Sequence, residues 1–253
     1  MSQLINTEKA SHWYYPDGRA CHTVPRADGA GERATTLRDA RKLGLLPSVT
    51  QILKVKAKPG LENWKLEQAI LSALTLPRGT EESDTAFAQR VVKDMDEEAA
   101  RAAAWGTKIH ACCEGLHAGG VLVADEQTRP FVADYERWVK AELSNTAQAE
   151  VTLVNQKLGY AGRVDLVAVH REHGPVVVDL KTQKVRDGQA VFYPEWALQL
   201  AAYAAALPGQ YRLASVVINS LEPSAVAVKF WAEADYLALF ECCLKLWKFE
   251  KGL

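Results

Sequence analysis

The chain has 253 residues, 48% hydrophobic and 24% charged, a balance that supports one sizeable core and excludes a disordered, collagen-like or disulfide-stapled chain. No uncharged apolar run approaches the roughly 20 residues needed to cross a bilayer, and Met1 to Lys9 lacks the basic start and apolar stretch of a signal peptide, so a cytoplasmic protein with no membrane partner is expected. The formal net charge of −1 is unevenly spread, with ten Lys/Arg against five Asp/Glu in residues 1–60 and twenty against twenty-six in residues 61–253.

A basic entry segment on a mildly acidic body suits either a polyanion gripped at one place or an ordinary solvated surface. Cys21 and the adjacent pairs Cys112-Cys113 and Cys242-Cys243 include no Cys-x-x-Cys, so neither a zinc ribbon nor a disulfide framework is supported. Residues 12–46 read as irregular, with Pro16-Asp17-Gly18 and Asp28-Gly29 as turn signals. Ser48 can cap a short helix to about Val55, followed by a lysine-studded turn with Lys54, Lys56 and Lys58. Helical periodicity covers Leu61–Leu76, then Ser83–His117 with a possible break at Gly106, then Thr128–Leu143.

After Asn145 the period becomes alternating. Strands are expected at Glu150–Asn155, Tyr160–Val169 and Pro175–Thr182, a helix at Pro194–Leu207 with proline in its first turn, strands at Arg212–Ser220 and Ala225–Phe230, and a closing helix at Ala234–Phe249. The order helix, three strands, helix, strand is that of an α/β sandwich. Residues 1–95 are expected to form an extension, irregular then helical, packed on a core of residues 96–253.

The second and third strands carry the chemistry. Val164, Leu166 and Ala168 are expected on one face and Arg163, Asp165 and Val167 on the other; likewise Val176, Val178 and Leu180 oppose Val177, Asp179 and Lys181. A turn centred near Glu172 sets Asp165 across from Asp179 and Arg163 beside Lys181. Two like charges facing across a strand pair repel. A divalent cation shared by the two carboxylates would offset that, since magnesium is commonly held by one or two carboxylates plus substrate phosphate oxygens. Lys181 on the same face could then steady charge on a phosphate or hold a water. Asp179 is the only acidic residue of the chain two positions before a lysine. The competing reading is an Asp165–Lys181 or Arg163–Asp179 salt bridge on a solvated sheet.

Two helices repeat the pattern of polar residues one turn apart. His110 and Glu114 share a face with Gly106 one turn earlier, either ligating a metal or forming an unremarkable surface pair. Gln199 and Tyr203 lie on an Ala/Leu-rich helix, where polar side chains near the inner face need partners or form a structural hydrogen-bond pair. Glu150, at the start of the first strand, could join the acidic edge or remain a linker residue.

Gly106-Thr107-x-x-His110, Gly162-Arg163-Val164-Asp165, Asp179-Leu180-Lys181 and Gln199-x-x-x-Tyr203, in this order and with this element sequence, resemble the PD-(D/E)XK nuclease superfamily. The resemblance is to its RecB-type exonuclease branch, in the manner of phage-type and mitochondrial-genome-maintenance exonucleases. It covers about residues 100–220 and implies a restriction-endonuclease-like core, a central mixed sheet flanked by helices. It further implies Asp165 and Asp179 as metal ligands joined by the Leu180 carbonyl, with His110 and, less firmly matched, Glu150 as further ligands and Glu114 behind them. Lys181 would act on the attacking water, and Gln199 and Tyr203 would organise the site and touch the strand. Apart from the resemblance, the basic loop Lys54, Lys56 and Lys58, with Tyr160 and Arg163, is expected to track the backbone of a bound strand. Val164 stands where the family's name-giving proline would be.

The implied activity is Mg2+- or Mn2+-dependent hydrolysis of DNA, with exonuclease favoured by resemblance alone, in repair or recombination and beside a recombination or single-strand-annealing protein. No iron–sulfur cluster is expected, because the four cysteines that hold one in some relatives have no counterpart. No Gly-x-x-x-x-Gly-Lys-Ser/Thr segment occurs, so no nucleotide cofactor is expected. Alternatives of other classes are a catalytically inactive DNA-binding protein of the same fold and a metal-dependent hydrolase of a small phosphate compound.

Overall fold

The computed structural model describes residues 12–57, 59–119, 122–144, 147–185, 188–232 and 234–253. The N-terminal stretch is more ordered than its composition suggests. It holds β1 (Trp13–Tyr14), β2 (Thr23–Pro25), β3 (Glu32–Ala34), α1 (Leu37–Leu43) and β4 (Leu46–Pro47), with β1 paired to β4 and β2 to β3. Strands of two or three residues leave no readable alternation. The α1 signal was present, however, because Thr36 and Asp39 form a reciprocal capping box and Gly44 ends the helix in the left-handed region.

Ser48 caps α2 (Val49–Ile52), its hydroxyl accepting from the Gln51 amide, and the chain continues through a 3-10 turn at Leu53–Val55. Then come α3 (Pro59–Thr75), α4 (Asp84–Gly119) and α5 (Arg129–Glu142). Gly106 does not interrupt α4, which is continuous over 36 residues. Its purpose is closeness: a Cβ there would lie 2.7 Å from the Thr182 hydroxyl oxygen.

The remaining elements are β5 (Gln148–Asn155), β6 (Tyr160–His170), β7 (Gly174–Gln183), α6 (Pro194–Ala204), β8 (Arg212–Asn219), β9 (Ala227–Phe230) and α7 (Tyr236–Lys251). The five strands form one mixed sheet in the order β5-β6-β7-β8-β9, antiparallel except for the parallel β7–β8 pair. That parallel pair needs a crossover, which α6 supplies. One face of the sheet packs Leu166, Ala168, Val176, Val178, Leu180 and Val216 against Ile109, Leu116, Val132 and Tyr135 of α4 and α5. The other packs Val164 and Val177 against Leu200 and Tyr203 of α6, Val49 and Ile52 of α2, and Phe240 and Trp247 of α7. The result is a three-layer α/β arrangement.

The expectation that Val164, Leu166 and Ala168 share a face is corrected here. Val164 belongs to the α6-side core, and Leu166 and Ala168 to the α4-side core. The cause lies in the neighbouring strand, where Glu150 has φ +55, a left-handed conformation uncommon for a residue with a side chain. Pairing runs Ala149↔Leu166 and resumes at Val151↔Val164, skipping Glu150 and Asp165. Both strands change face at this point, as at a local break of the ladder.

Candidate active site

The β6–β7 ladder follows the expected register from His170↔Gly174 to Leu166↔Val178 and stops there. Beyond it, the Leu180 amide donates to Asp165 Oδ2 at 2.6 Å. The ladder is therefore replaced by a side chain, and β7 goes on alone with β8, pairing Asp179 to Ser215 and Lys181 to Val217. Arg163 consequently does not stand beside Lys181. It pairs instead with Glu150 and, at 3.3 Å, with Glu114 of α4.

Asp179 is 1% exposed. Its Oδ1 accepts from Lys181 Nζ at 2.5 Å and from Gln199 Nε2 at 3.1 Å, while Oδ2 is buried without a hydrogen-bond partner. Gln199 Nε2 also donates to the Tyr203 hydroxyl at 3.2 Å, which locks the amide orientation. Neither alternative salt bridge, Asp165–Lys181 or Arg163–Asp179, is formed among the described residues; the pair is Asp179–Lys181.

Burial raises the Asp179 carboxyl to about 6, helped by the Asp165 charge and opposed by Lys181. Burial also raises Asp165, against Lys181, the Leu180 amide and Arg163. Glu150 rises to about 7 through burial and then Asp165, with Arg163 opposing. All three are raised by burial first, which disfavours their charged forms, while Lys181 and Arg163 pull them back. Burial by itself would lower the Lys181 ammonium, but Asp179 and Asp165 outweigh it and hold the pKa above the ordinary value. His110 is lowered by burial and by Lys181, with Asp179 opposing; its imidazole is neutral at pH 7.

A small cavity beside this cluster is lined by His110, Cys113, Glu114, His117, Tyr135, Glu150, Asp165 and Leu180. The helix α4 thus brings three residues of one face, His110, Glu114 and His117, to the acidic edge. The glycines of the sequence motifs explain how the layers come so close. Gly106 meets Thr182, and a Cβ at Gly162 would lie 2.6 Å from Tyr203 Cε1 and 3.3 Å from Val49 Cγ2. Without these two glycines, α4 and α6 would be held off the carboxylates.

The expected residues outside this cluster are placed differently. Tyr160 does not present a surface to a strand: it is 1% exposed, its hydroxyl donates to the Ala202 carbonyl at 2.8 Å, and its ring meets Phe240. Tyr203 is likewise buried, so it can organise Gln199 but cannot touch a strand. Lys54 is exposed and Lys56 half-buried; Lys54 acts on His12 and Lys56 on Cys243 rather than on the carboxylates. Lys58 lies outside the described residues. Two residues that sequence reasoning passed over stand at the site. Tyr14 feels the charges of Arg163 and Glu150, and Trp196, three positions before Gln199, has its ring 5.9 Å from Lys181 Nζ. Aromatic residues in apolar company read as core; only the i, i+3 spacing of Trp196 to Gln199 hinted otherwise.

Residues 150–229 match the family model of the PD-(D/E)XK nuclease superfamily. That stretch contains Glu150, Asp165, Asp179, Lys181, Gln199 and Tyr203, and the superfamily match suggests a metal-dependent nuclease. No curated protein matches the chain. Thirteen chains of solved structures do; one, titled "Crystal structure of SSO0001", is 14% identical over 75% of this chain and 85% of its own, with a TM-score of 0.32.

Among the described residues no three His, Cys, Asp or Glu side chains are gathered into a ready metal cluster. One oxygen of Asp165 accepts from the Leu180 amide and one oxygen of Asp179 from Lys181. What remains, a buried Asp179 oxygen with no partner beside a second carboxylate, is a hard-oxygen donor set that fits a magnesium-type cation. Among the described residues no helix is long and apolar enough to cross a membrane.

Proposed function

We propose that the protein is a metal-dependent deoxyribonuclease of the RecB-type branch, acting as an exonuclease on DNA ends. The observation that carries this reading is the Asp179 carboxylate, buried with Oδ2 unpartnered while Lys181 and Gln199 occupy Oδ1. An isolated buried carboxylate oxygen is costly, and a cation is the partner that its neighbourhood of raised carboxyl groups calls for. Asp165 and Asp179 would hold Mg2+ or Mn2+, with the Leu180 carbonyl, His110 and Glu150 as further candidates. When bound, the cation supplies charge withdrawal from the scissile phosphate and acidifies water.

The chain's own groups divide the remaining work. Lys181 stays an ammonium at neutral pH because its pKa is held up, so it steadies negative charge or orients a water and does not remove a proton. Gln199 fixes Asp179 through Oδ1 and leaves Oδ2 as the oxygen that would hold the cation, with Tyr203 setting the amide. Arg163, bridging Glu150 and Glu114, can release either carboxylate when a phosphate arrives, a group with which guanidinium pairs well. The neutral His110 imidazole has a lone pair available for a ligand.

Purified protein given Mg2+ or Mn2+ should shorten linear end-labelled DNA, spare closed circles, and stop on addition of EDTA. Asp179→Ala and Lys181→Ala should each abolish the activity. Undiminished hydrolysis by both variants would sink the assignment; digestion of circles would keep the nuclease and remove the exonuclease.

A further inference from the structure

Next to Lys181 the molecule presents aromatic rings that no catalytic role uses. Phe192, Tyr193 and Trp196 meet edge to face, with Tyr193–Trp196 centroids 5.3 Å apart at 72° and Phe192–Trp196 centroids 6.0 Å apart at 75°. Tyr193 is 38% exposed, and Phe192 and Trp196 are only partly buried against the core. The group is held in place. The Gln183 side chain, two residues past Lys181, grips the Val191 backbone at both ends, donating to its carbonyl at 3.2 Å and accepting from its amide at 2.8 Å. On the far side Tyr193 abuts α3, where a Cβ at Gly60 would be 3.8 Å from its ring.

Ammonium groups flank these rings. Lys181 lies 5.9 Å from the Trp196 ring, Lys229 lies 5.7 Å from Phe192 and 4.2 Å from Trp231, and Lys184 is exposed on the segment between Lys181 and Phe192. Half-exposed aromatics alternating with cations form a device for holding a single strand, the rings taking base faces and the cations the phosphates. In a duplex those faces are covered by neighbouring bases, and unstacking them costs energy.

We infer that Tyr193 and Trp196 form a stacking platform for an unpaired base adjoining the phosphate at Lys181, and that the protein therefore selects single-stranded nucleic acid or the frayed end of a duplex. The inference rests on the nuclease reading and adds the substrate's strandedness to it. Trp196 on the first turn of α6 and Gln199 one turn on share a face, so the base would sit on the same helix that positions Asp179. Tyr193 is a specificity residue on this account.

The test is a tryptophan-fluorescence titration of the full chain at low salt in EDTA, so that binding is read without hydrolysis. The probes are an oligo-dT strand and a blunt hairpin duplex of equal charge. Oligo-dT should quench the fluorescence and bind roughly tenfold or more tightly than the duplex. Tyr193→Ala should weaken oligo-dT binding by about tenfold with little change for the duplex, and Tyr193→Phe, which keeps the ring, should bind like the parent. Equal affinity of the parent for both probes would overturn the inference, as would a Tyr193→Ala loss shared equally by both or absent from both. If Tyr193→Ala does not fold, as read from its melting curve, the parent's strand preference and the Phe variant still decide. Hydrolysis in Mg2+ is scored separately: strand-selective binding without hydrolysis would remove the nuclease reading and keep the platform, and hydrolysis without strand preference would do the reverse.

Discussion

Between His170↔Gly174 and Leu166↔Val178 the strands β6 and β7 keep an unbroken antiparallel register, whereas just beyond its end a carboxylate, Asp165, accepts the Leu180 amide instead. The closed end is finished by His170, whose Nδ1 accepts from the Glu172 and His173 amides, and its Val177 is completely buried. Apart from His170, polar groups at that end belong to the backbone and side chains supply apolar area. At the open end the roles are exchanged, and buried side chains carry the charge. Beside this end Glu150 takes a left-handed backbone and β5 and β6 change face, at the point where the carboxylates of Glu150, Asp165 and Asp179 act on one another. On the nuclease reading, this hairpin would keep its stability and its chemistry at opposite ends.

Substitutions at the two ends should therefore fail in opposite ways. Asp179→Asn or Lys181→Met is expected to reduce hydrolysis by a factor on the order of 10^2–10^3 or more while the protein still melts cooperatively. Val177→Ala should cost about 2 kcal/mol of stability, seen as a lower denaturation midpoint, with turnover of the folded protein close to the parent's. Comparable activity losses from both kinds of change would show that the two ends are not separable.

The next largest effect is expected where α4 touches the open end. Gly106→Ala places a methyl group 2.7 Å from the Thr182 hydroxyl oxygen, and overpacking of this kind costs about 1–3 kcal/mol. Removing the hydroxyl should reveal the underlying helix preference, since alanine is favoured over glycine in a helix interior by up to about 1 kcal/mol. Gly106→Ala with Thr182→Ala should thus melt near or above the parent, and Gly106→Ala alone below it. A single variant that melts higher would mean that Thr182 swings aside and that the close approach is not needed.

The closed end was the more legible of the two in the sequence. Alternation marked β6 and β7 to within two residues of their ends, and a turn centred near Glu172 set the register that the ladder keeps from His170↔Gly174 to Leu166↔Val178. Periodicity assumes that the backbone conformation repeats, so it could not reveal one left-handed residue at Glu150, and with it the face change from Leu166 to Val164. The side chains brought together at Asp179, Lys181 and Gln199 could be singled out because charge and amide groups are conspicuous among alanine, leucine and valine. Tyr160 and Trp196 could not be told apart on that ground. Both are aromatic residues in apolar company, yet one spends its hydroxyl on Ala202 inside the core and the other stands beside the Lys181 ammonium. Gly106 looked like a helix break because composition shows a missing side chain but not the neighbour that requires it.

Glu150 offers a smaller effect with a definite sign. Its folded pKa of about 7 lies above the ordinary 4.5, so the folded state holds this proton more tightly than the unfolded chain between about pH 4.5 and 7. Stability from this group is therefore full at low pH and lost as pH rises through 7, the reverse of a salt-bridged carboxylate. In EDTA, Glu150→Gln should melt a few degrees above the parent at pH 8, on the order of the 2–4 °C per kcal/mol expected for a chain of this size, and match it near pH 5. Saturating Mg2+ should shrink or invert the pH 8 difference. A Glu150→Gln protein that is less stable than the parent at pH 8 without metal would mean that the Arg163 ion pair outweighs burial.

The mildest change expected to register is Tyr203→Phe. The hydroxyl is buried and receives one hydrogen bond, from Gln199 Nε2 at 3.2 Å, while the same nitrogen also donates to Asp179 Oδ1 at 3.1 Å. Removing the oxygen leaves the ring, which fills the space over Gly162, so packing is kept and the loss is that of one neutral hydrogen bond, about 0.5–1.5 kcal/mol. If that energy serves to orient the amide toward Asp179, it should appear in turnover as a roughly twofold to tenfold lower kcat with KM nearly unchanged, because the strand does not reach a buried ring. If it serves only the core, kcat should hold and the melting temperature alone should fall. The split between kcat and melting temperature thus measures how much of α6 belongs to the open end of the hairpin and how much to the sheet beneath it.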